Sequence, residues 1–190
     1  MALTKLDPVA ALVVIDLQKG IVGMPVPTAH PVSEIVARAA KLAHAFRERG
    51  LPVVWVNVNG RAPGRVEAAR PDLGGLPVDW AELAPELGVE ASDHRVTKQR
   101  FGAFLGTGLD EYLRGRRVTQ IVLAGISTSL GVESTARSAY DLGYHVVFAT
   151  DGMTDRDSEA HKHSIERVFR RIGETDTTDN ILAMLRRTEP

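Results

Sequence analysis

The run Val9-Ala-Ala-Leu-Val-Val-Ile15, closed by Asp16, constrains the fold more than any other segment. An unbroken apolar run has no polar face to give to water, so a strand built from it must be covered on both sides. A different period follows. Between Pro31 and Arg49 the apolar residues Ile35, Val36, Ala39, Leu42, Ala43 and Phe46 recur at helical spacing, with Ser33 as cap and Gly50 as stop. That predicts a helix of about five turns. Pro52-Val-Val-Trp-Val-Asn-Val58 returns to the strand pattern.

The alternation continues to the end of the chain. His94 to Thr97 is a short strand reaching Lys98, and Leu109 to Arg114 a helix. Thr119 to Ala124 is a strand, Val132 to Leu142 a helix, His145 to Ala149 a strand, and Ser158 to Arg171 a helix. A short strand at Ile172 to Thr175 and a helix from Thr178 to Arg187 close the series. Strands separated by helices imply crossover connections and a parallel sheet. The segment Asn59 to Ser92, rich in proline and glycine, keeps no period, apart from a short helix expected around Trp80 to Leu87. No repeat or linker interrupts residues 1–190, whose 44% hydrophobic content suits one core, so a single domain is expected.

Composition removes several classes of function. The chain has no cysteine, which excludes disulfides, thiolate metal centres and thiol nucleophiles. With 23 basic against 24 acidic residues, no global field draws it to nucleic acid or an anionic membrane. The start, MALTKLDPVA, has no basic segment followed by a long apolar run, and Val9 to Ile15 falls far short of the roughly 20 residues that span a bilayer. The expectation is a cytoplasmic protein with a small-molecule partner, and neither nucleic acid nor membrane.

In an open parallel sheet, ligands bind beyond the carboxyl ends of the strands. Three such ends carry chemistry: Asp16 with Gln18, Lys98 with Arg100, and Gly125-Ile-Ser-Thr-Ser-Leu-Gly131. Asp16 follows the buried run, where desolvation raises a carboxyl pKa and a nearby ammonium lowers it. Asp16 and Lys98 can therefore form a proton-handling pair or a plain salt bridge, and the pattern allows both. The turn from Gly125 to Gly131 leads from a strand into a helix amino terminus, whose amides can hold an oxyanion or carboxylate, or simply cap the helix. It has neither the phosphate-loop spacing nor the dinucleotide fingerprint.

The histidines suggest neither a metal centre nor a base for a serine nucleophile. His161 and His163 project from different helix faces, and a solvated helical position is expected for His161. The aromatic candidates for a pocket lining are Phe101, Phe104, Trp55 and Trp80, of which Phe101 is favoured by its place in the Lys98 segment and Phe104 and Trp55 are assigned to the core. Gln18 points to the Asp16 side and has a neighbouring loop as its other partner. Arg100 meets either a substrate carboxylate or solvent.

Taken together, these strand ends resemble the isochorismatase-like hydrolase family, also called the cysteine hydrolase family, which includes nicotinamidases, carbamoylsarcosine amidohydrolases and isochorismatases. The resemblance runs from Ala10 to Leu182. Its most specific parts are Lys98-Gln-Arg-Phe-Gly-Ala-Phe104, Gly125-Ile-Ser-Thr-Ser-Leu-Gly-Val-Glu-Ser-Thr-Ala-Arg137 and Leu142-Gly-Tyr144. It implies a three-layer α/β/α domain with a six-stranded, mostly parallel sheet, assembled into homodimers or homotetramers, and no cofactor. In most of the family an aspartate, a lysine and a cysteine act together. Asp16 and Lys98 match the first two, and the cysteine's position falls on Gly131, so a covalent thioester route is excluded.

Isochorismatases carry glycine at that position and cleave a vinyl ether, which needs an acid and water but no nucleophile. The resemblance thus implies Asp16 as general acid, Lys98 as its electrostatic partner, and Gly131 as space for substrate. Gln18, Arg100, Phe101, Ile126, Ser127 and Thr128 are expected to contact the substrate. The chain is also similar to uncharacterised cysteine-free bacterial members, for which no substrate is implied. Asn57-Val-Asn-Gly60 lacks the Asp-x-His run of nicotinamidases. In cysteine-containing relatives the Ile126–Ser127 peptide is cis, and the same is expected here. The alternatives are a ligand-binding relative without catalysis and, last, a serine-based acyl transferase.

Overall fold

The computed structural model describes residues 3–68 and 74–187; residues 69–73 of the expected Asn59–Ser92 excursion lie outside them. The chain forms β1 (Ala10–Ile15), α1 (Lys19–Val22), α2 (Val32–Glu48), β2 (Val53–Val58), β3 (His94–Lys98) and α3 (Leu109–Gly115). It continues with β4 (Gln120–Ile126), α4 (Glu133–Asp141), β5 (His145–Thr154), α5 (Ser158–His163), α6 (Arg170–Ile172), β6 (Glu174–Asp176) and α7 (Thr178–Arg187). The six strands form one sheet in the order β3-β2-β1-β4-β5-β6, and every pairing is parallel.

β1 sits in the middle, with all six of its residues buried, as its uniformly apolar sequence requires. Its alternate side chains feed two separate cores. Leu12 and Val14 join α2 and α7 on one face, and Ala11, Val13 and Ile15 join α3 and α4 on the other. The molecule is therefore a three-layer α/β/α domain. The expected stripe of α2, Ile35, Val36, Ala39, Leu42, Ala43 and Phe46, is its buried face, but Pro31 rather than Ser33 precedes the helix. Ser33 lies inside the first turn, where its neighbour Glu34 complements the helix dipole.

Four expected elements differ. Only Pro85–Leu87 of the Trp80 to Leu87 segment is helical, a single 3-10 turn. The carbonyls of Trp80 and Glu82 instead accept from Gly20 and Lys19, and Ala84 donates to Leu17. These bonds zip the segment onto the chain that leaves β1. The helix expected from Val132 begins earlier, as a π-helical turn over Thr128–Val132 that runs into α4. A second π-helical turn, Ser164–Phe169, divides the expected Ser158 to Arg171 helix. β5 runs on to Thr154, because Met153 and Thr154 pair with Gly125 and Ile126 beyond a register shift in β4.

Candidate active site

The order β1-β4 is where the chain reverses its direction of travel across the sheet, and a crevice at such a point is the expected ligand site. Asp16 is the first residue after β1. It takes a left-handed conformation, φ 54°, while its amide donates to the Val56 carbonyl at 2.8 Å. That turn sends the carboxylate toward Lys98, which ends β3 two strands away. Lys98 Nζ donates to Asp16 Oδ2 at 2.7 Å and to the Arg100 carbonyl at 3.0 Å. Both residues are buried, 5% exposed for Asp16 and 2% for Lys98.

The other carboxylate oxygen, Asp16 Oδ1, is buried without a hydrogen-bond partner among the described residues. Burial pushes the Asp16 carboxyl up to about 6, and the charge and hydrogen bond of Lys98 offset only part of that rise. An acid poised near neutrality with one unoccupied oxygen is suited to proton transfer.

Gly125 and Gly131 bring β4 and the turn after it close against the end of β1. Gly125, at φ 120°, lies so close to β1 that a Cβ there would collide with the Ile15 carbonyl. A Cβ at Gly131 would stand 2.9 Å from Ile15 Cγ2 and 3.3 Å from both Asp16 Oδ2 and the Ile126 carbonyl. Position 131 thus faces the ion pair directly, and any side chain there presses on it. The Ile126–Ser127 peptide is cis. Ser127 offers its carbonyl to the amides of Leu130 and Val132, which turns the strap from Ser127 to Val132 into α4.

The remaining expected site residues divide. Thr128 is fully buried with its hydroxyl on His161, and Ile126 is also buried. Gln18 is fully buried, but its amide bonds are all to backbone: Nε2 donates to Val58 and Trp80 carbonyls, and Oε1 accepts from Val58 N–H. Gln18 therefore ties β2 and the 80–84 segment to the end of β1. Arg100 turns its side chain outward and contributes its carbonyl to Lys98. Phe101 is 62% exposed, whereas Phe104 and Trp55 are core residues.

His161 is not solvated as expected. It is buried, with Nδ1 2.8 Å from Thr128 Oγ1 and its ring edge-on to His30. Burial, then the nearby His30, hold it below the ordinary histidine value, and Asp155 works in the other direction. Asp155 was not singled out by the sequence either. It is buried, and its Oδ2 accepts from both the amide and the hydroxyl of Ser129, each at 2.7 Å. Its signal was the one that marks Asp16, an aspartate directly after a strand, hidden by the five extra residues of β5. Among the described residues, no three His, Asp or Glu side chains gather to hold a metal ion. No helix among them is long and apolar enough to cross a membrane.

Two clefts lie elsewhere: one of about 660 Å³ between β2, β3 and the 78–89 segment, the other of about 530 Å³ at the amino ends of β4 and β5. Neither is lined by Asp16, Lys98 or Gly131.

Residues 10–180 match the model of the isochorismatase domain. The chain belongs to the isochorismatase family. Within this family it is 43% identical over 182 residues to the uncharacterized isochorismatase family protein YwoC of Bacillus subtilis (strain 168), covering 93% of this chain and 94% of that one. It is 29% identical to the isochorismatase of the same organism, over 93% of this chain and 58% of the relative. Among solved structures, an isochorismatase family protein from Burkholderia thailandensis superimposes with a TM-score of 0.89 at 39% identity, covering 96% of this chain and 98% of that one.

Proposed function

We propose that this isochorismatase-family protein is a hydrolase that cleaves an enolpyruvyl (vinyl) ether of a small molecule, with Asp16 as general acid and no covalent nucleophile. The Asp16 carboxyl carries the reading: it is buried, held by Lys98, raised to about 6, and keeps Oδ1 free of a partner among the described residues. Protonated Asp16 delivers its proton to the terminal methylene carbon, and the ether carbon becomes an oxocarbenium ion. Water adds to that carbon and returns one proton to Asp16. The hemiketal then breaks its bond to the leaving oxygen, the second water proton passes to that oxygen, and pyruvate and an alcohol depart.

Lys98 holds the Asp16 carboxylate during the step in which it is charged. The strap around Ile126, Ser127 and Thr128 receives the substrate's carboxylate, and glycine at position 131 keeps any side chain from pressing on Asp16 and Ile15. Arg100 and Phe101, both exposed next to Lys98, flank the entrance in this reading. General-acid help of this kind is worth about 10²–10⁴ in rate.

The test is direct. Incubate the protein with isochorismate, follow pyruvate, and compare wild type with Asp16→Asn. Wild type releases pyruvate, and the variant loses most of the rate. Equal rates, or no pyruvate from either, would sink the vinyl-ether proposal, and the second outcome would turn attention to a ligand-binding role.

A further inference from the structure

The chemistry above uses one set of buried polar groups, and a second set meets the same strap. Two successive strap residues are gripped from different places. Thr128 Oγ1 is bonded to His161 of α5, and Ser129 gives both its amide and its hydroxyl to Asp155, the residue after β5. A third bond runs from Ser164 Oγ to Glu133 Oε2, where α4 starts. His161 and Ser164 are three residues apart and so share a helix face. Each helix contact has a π-helical turn on one side: Thr128 of the Thr128–Val132 turn meets His161 of α5, and Ser164 of the Ser164–Phe169 turn meets Glu133 of α4. Single π-turns of this sort recur at functional sites.

The carboxyl end of the strap is held by Val132 in the core and by Thr135 Oγ1 on the Gly131 carbonyl, and its middle is held less. Gly131 has no side chain and Leu130 is 47% exposed. By contrast, Asp155 and His161 are themselves fixed. His30 packs edge-on against His161 at 5.1 Å, and its backbone is tied to Thr154: His30 N–H donates to Thr154 Oγ1 and that hydroxyl donates to the His30 carbonyl. Ala29 N–H donates to the Asp155 carbonyl. A carboxylate that accepts two bonds from one residue is a strong, directional hold.

We propose that Asp155 and His161 are positioning residues whose grip on Ser129 and Thr128 fixes the strap that receives the substrate's carboxylate, and so sets substrate affinity rather than the proton-transfer step. This rests on the strap's role in the proposed function. Substrate carries its carboxylate in the ground state and in the transition state alike, so loosening its receptor raises KM and leaves kcat nearly alone.

The experiment reads two quantities on the full chain. His161→Phe and Asp155→Ala each cut one grip; His161→Asn and Asp155→Asn keep a hydrogen-bonding group in place; His161→Leu cuts the same bond to Thr128 if His161→Phe fails to fold. Amide hydrogen exchange is followed over Ser127–Val132, with β1 as the control for an intact fold. Pyruvate release from isochorismate gives kcat and KM.

His161→Phe, which loses one hydrogen bond, speeds exchange in the strap about tenfold, Asp155→Ala, which loses two, speeds it more, and both leave β1 unchanged. KM rises about tenfold, kcat stays within about twofold, and His161→Asn recovers most of both effects. Unchanged strap exchange in the folded cutting variants overturns the proposal, and so does a fall confined to kcat. If wild type releases no pyruvate, the vinyl-ether reading fails on its own, and the exchange measurement alone still decides the clamp.

Discussion

Replacing Asp16 by asparagine should change how stability depends on pH, and the size of the change follows from the site. Burial lifts the folded-state carboxyl from its ordinary 3.8 to about 6. A rise of about 2.2 at about 1.36 kcal/mol each is worth about 3 kcal/mol. The sign is fixed by which state keeps the proton. Below 3.8 the carboxyl is protonated in both folded and unfolded chains, and no penalty exists. Between 3.8 and about 6 the unfolded chain releases the proton while the folded chain retains it, so stability falls as pH rises; above about 6 the loss is complete. The asparagine side chain of the variant has no proton to release, and groups common to both chains cancel in the difference. The stability of wild type relative to Asp16→Asn should therefore drop by about 3 kcal/mol between about pH 3.5 and about pH 7.5. Urea unfolding at steps across that range measures it directly. In thermal unfolding the relative displacement is about 6–12 °C for a domain of this size. A difference that stays flat to within about 1 kcal/mol across the range would refute the claim that Asp16 is held protonated by burial against the pull of Lys98.

If Asp16 donates the proton, kcat/KM for pyruvate release should be highest on the acid side and fall about tenfold per pH step above about 6; a flat profile between about pH 5 and 8 would count against it. Gly131→Ala places a Cβ against Ile15 Cγ2 and Asp16 Oδ2, so it should cost about 1–3 kcal/mol in urea unfolding and abolish most of the activity. Gln18→Ala removes the partners of Val58 and Trp80 backbone groups, and should cost about 2–3 kcal/mol while shifting Trp80 fluorescence. If Gln18 touched substrate instead, stability would hold and KM alone would move.

The strands and helices that bury one full face or stripe were legible because burial writes a period into the residues. β1 and α2 are the clearest instances, and α7, Thr178–Arg187, lies where its pattern placed it. Asp16 and Lys98 were legible for a related reason: a charged residue ending a buried strand has few places to go. The π-helical turns were not legible, since an i→i+5 backbone bond, here from Val132 N–H to the Ser127 carbonyl, leaves no period in the residues that differs from an α-helical turn. The end of β5 was hidden because Thr150-Asp-Gly reads as a turn. Asp151 instead accepts from the amide and hydroxyl of Thr178 at the start of α7, and that long-range partner lets the strand continue. Gln18 could be placed beside Asp16, but that its amide would be wholly engaged by backbone groups of Val58 and Trp80 depended on where residues 80–84 pack.

The left-handed backbone of Asp16 restricts the substitutions that position 16 can accept. At φ 54° only glycine, asparagine and aspartate sit without appreciable conformational cost, and a residue such as alanine or glutamate carries about 1–2 kcal/mol of strain before its chemistry is considered. In a library covering every residue and selected for folding alone, position 16 should thus be enriched in glycine, asparagine and aspartate. Selected for turnover as well, it should return aspartate alone. The gap between those two sets separates what the turn after β1 requires of this residue from what its proton contributes.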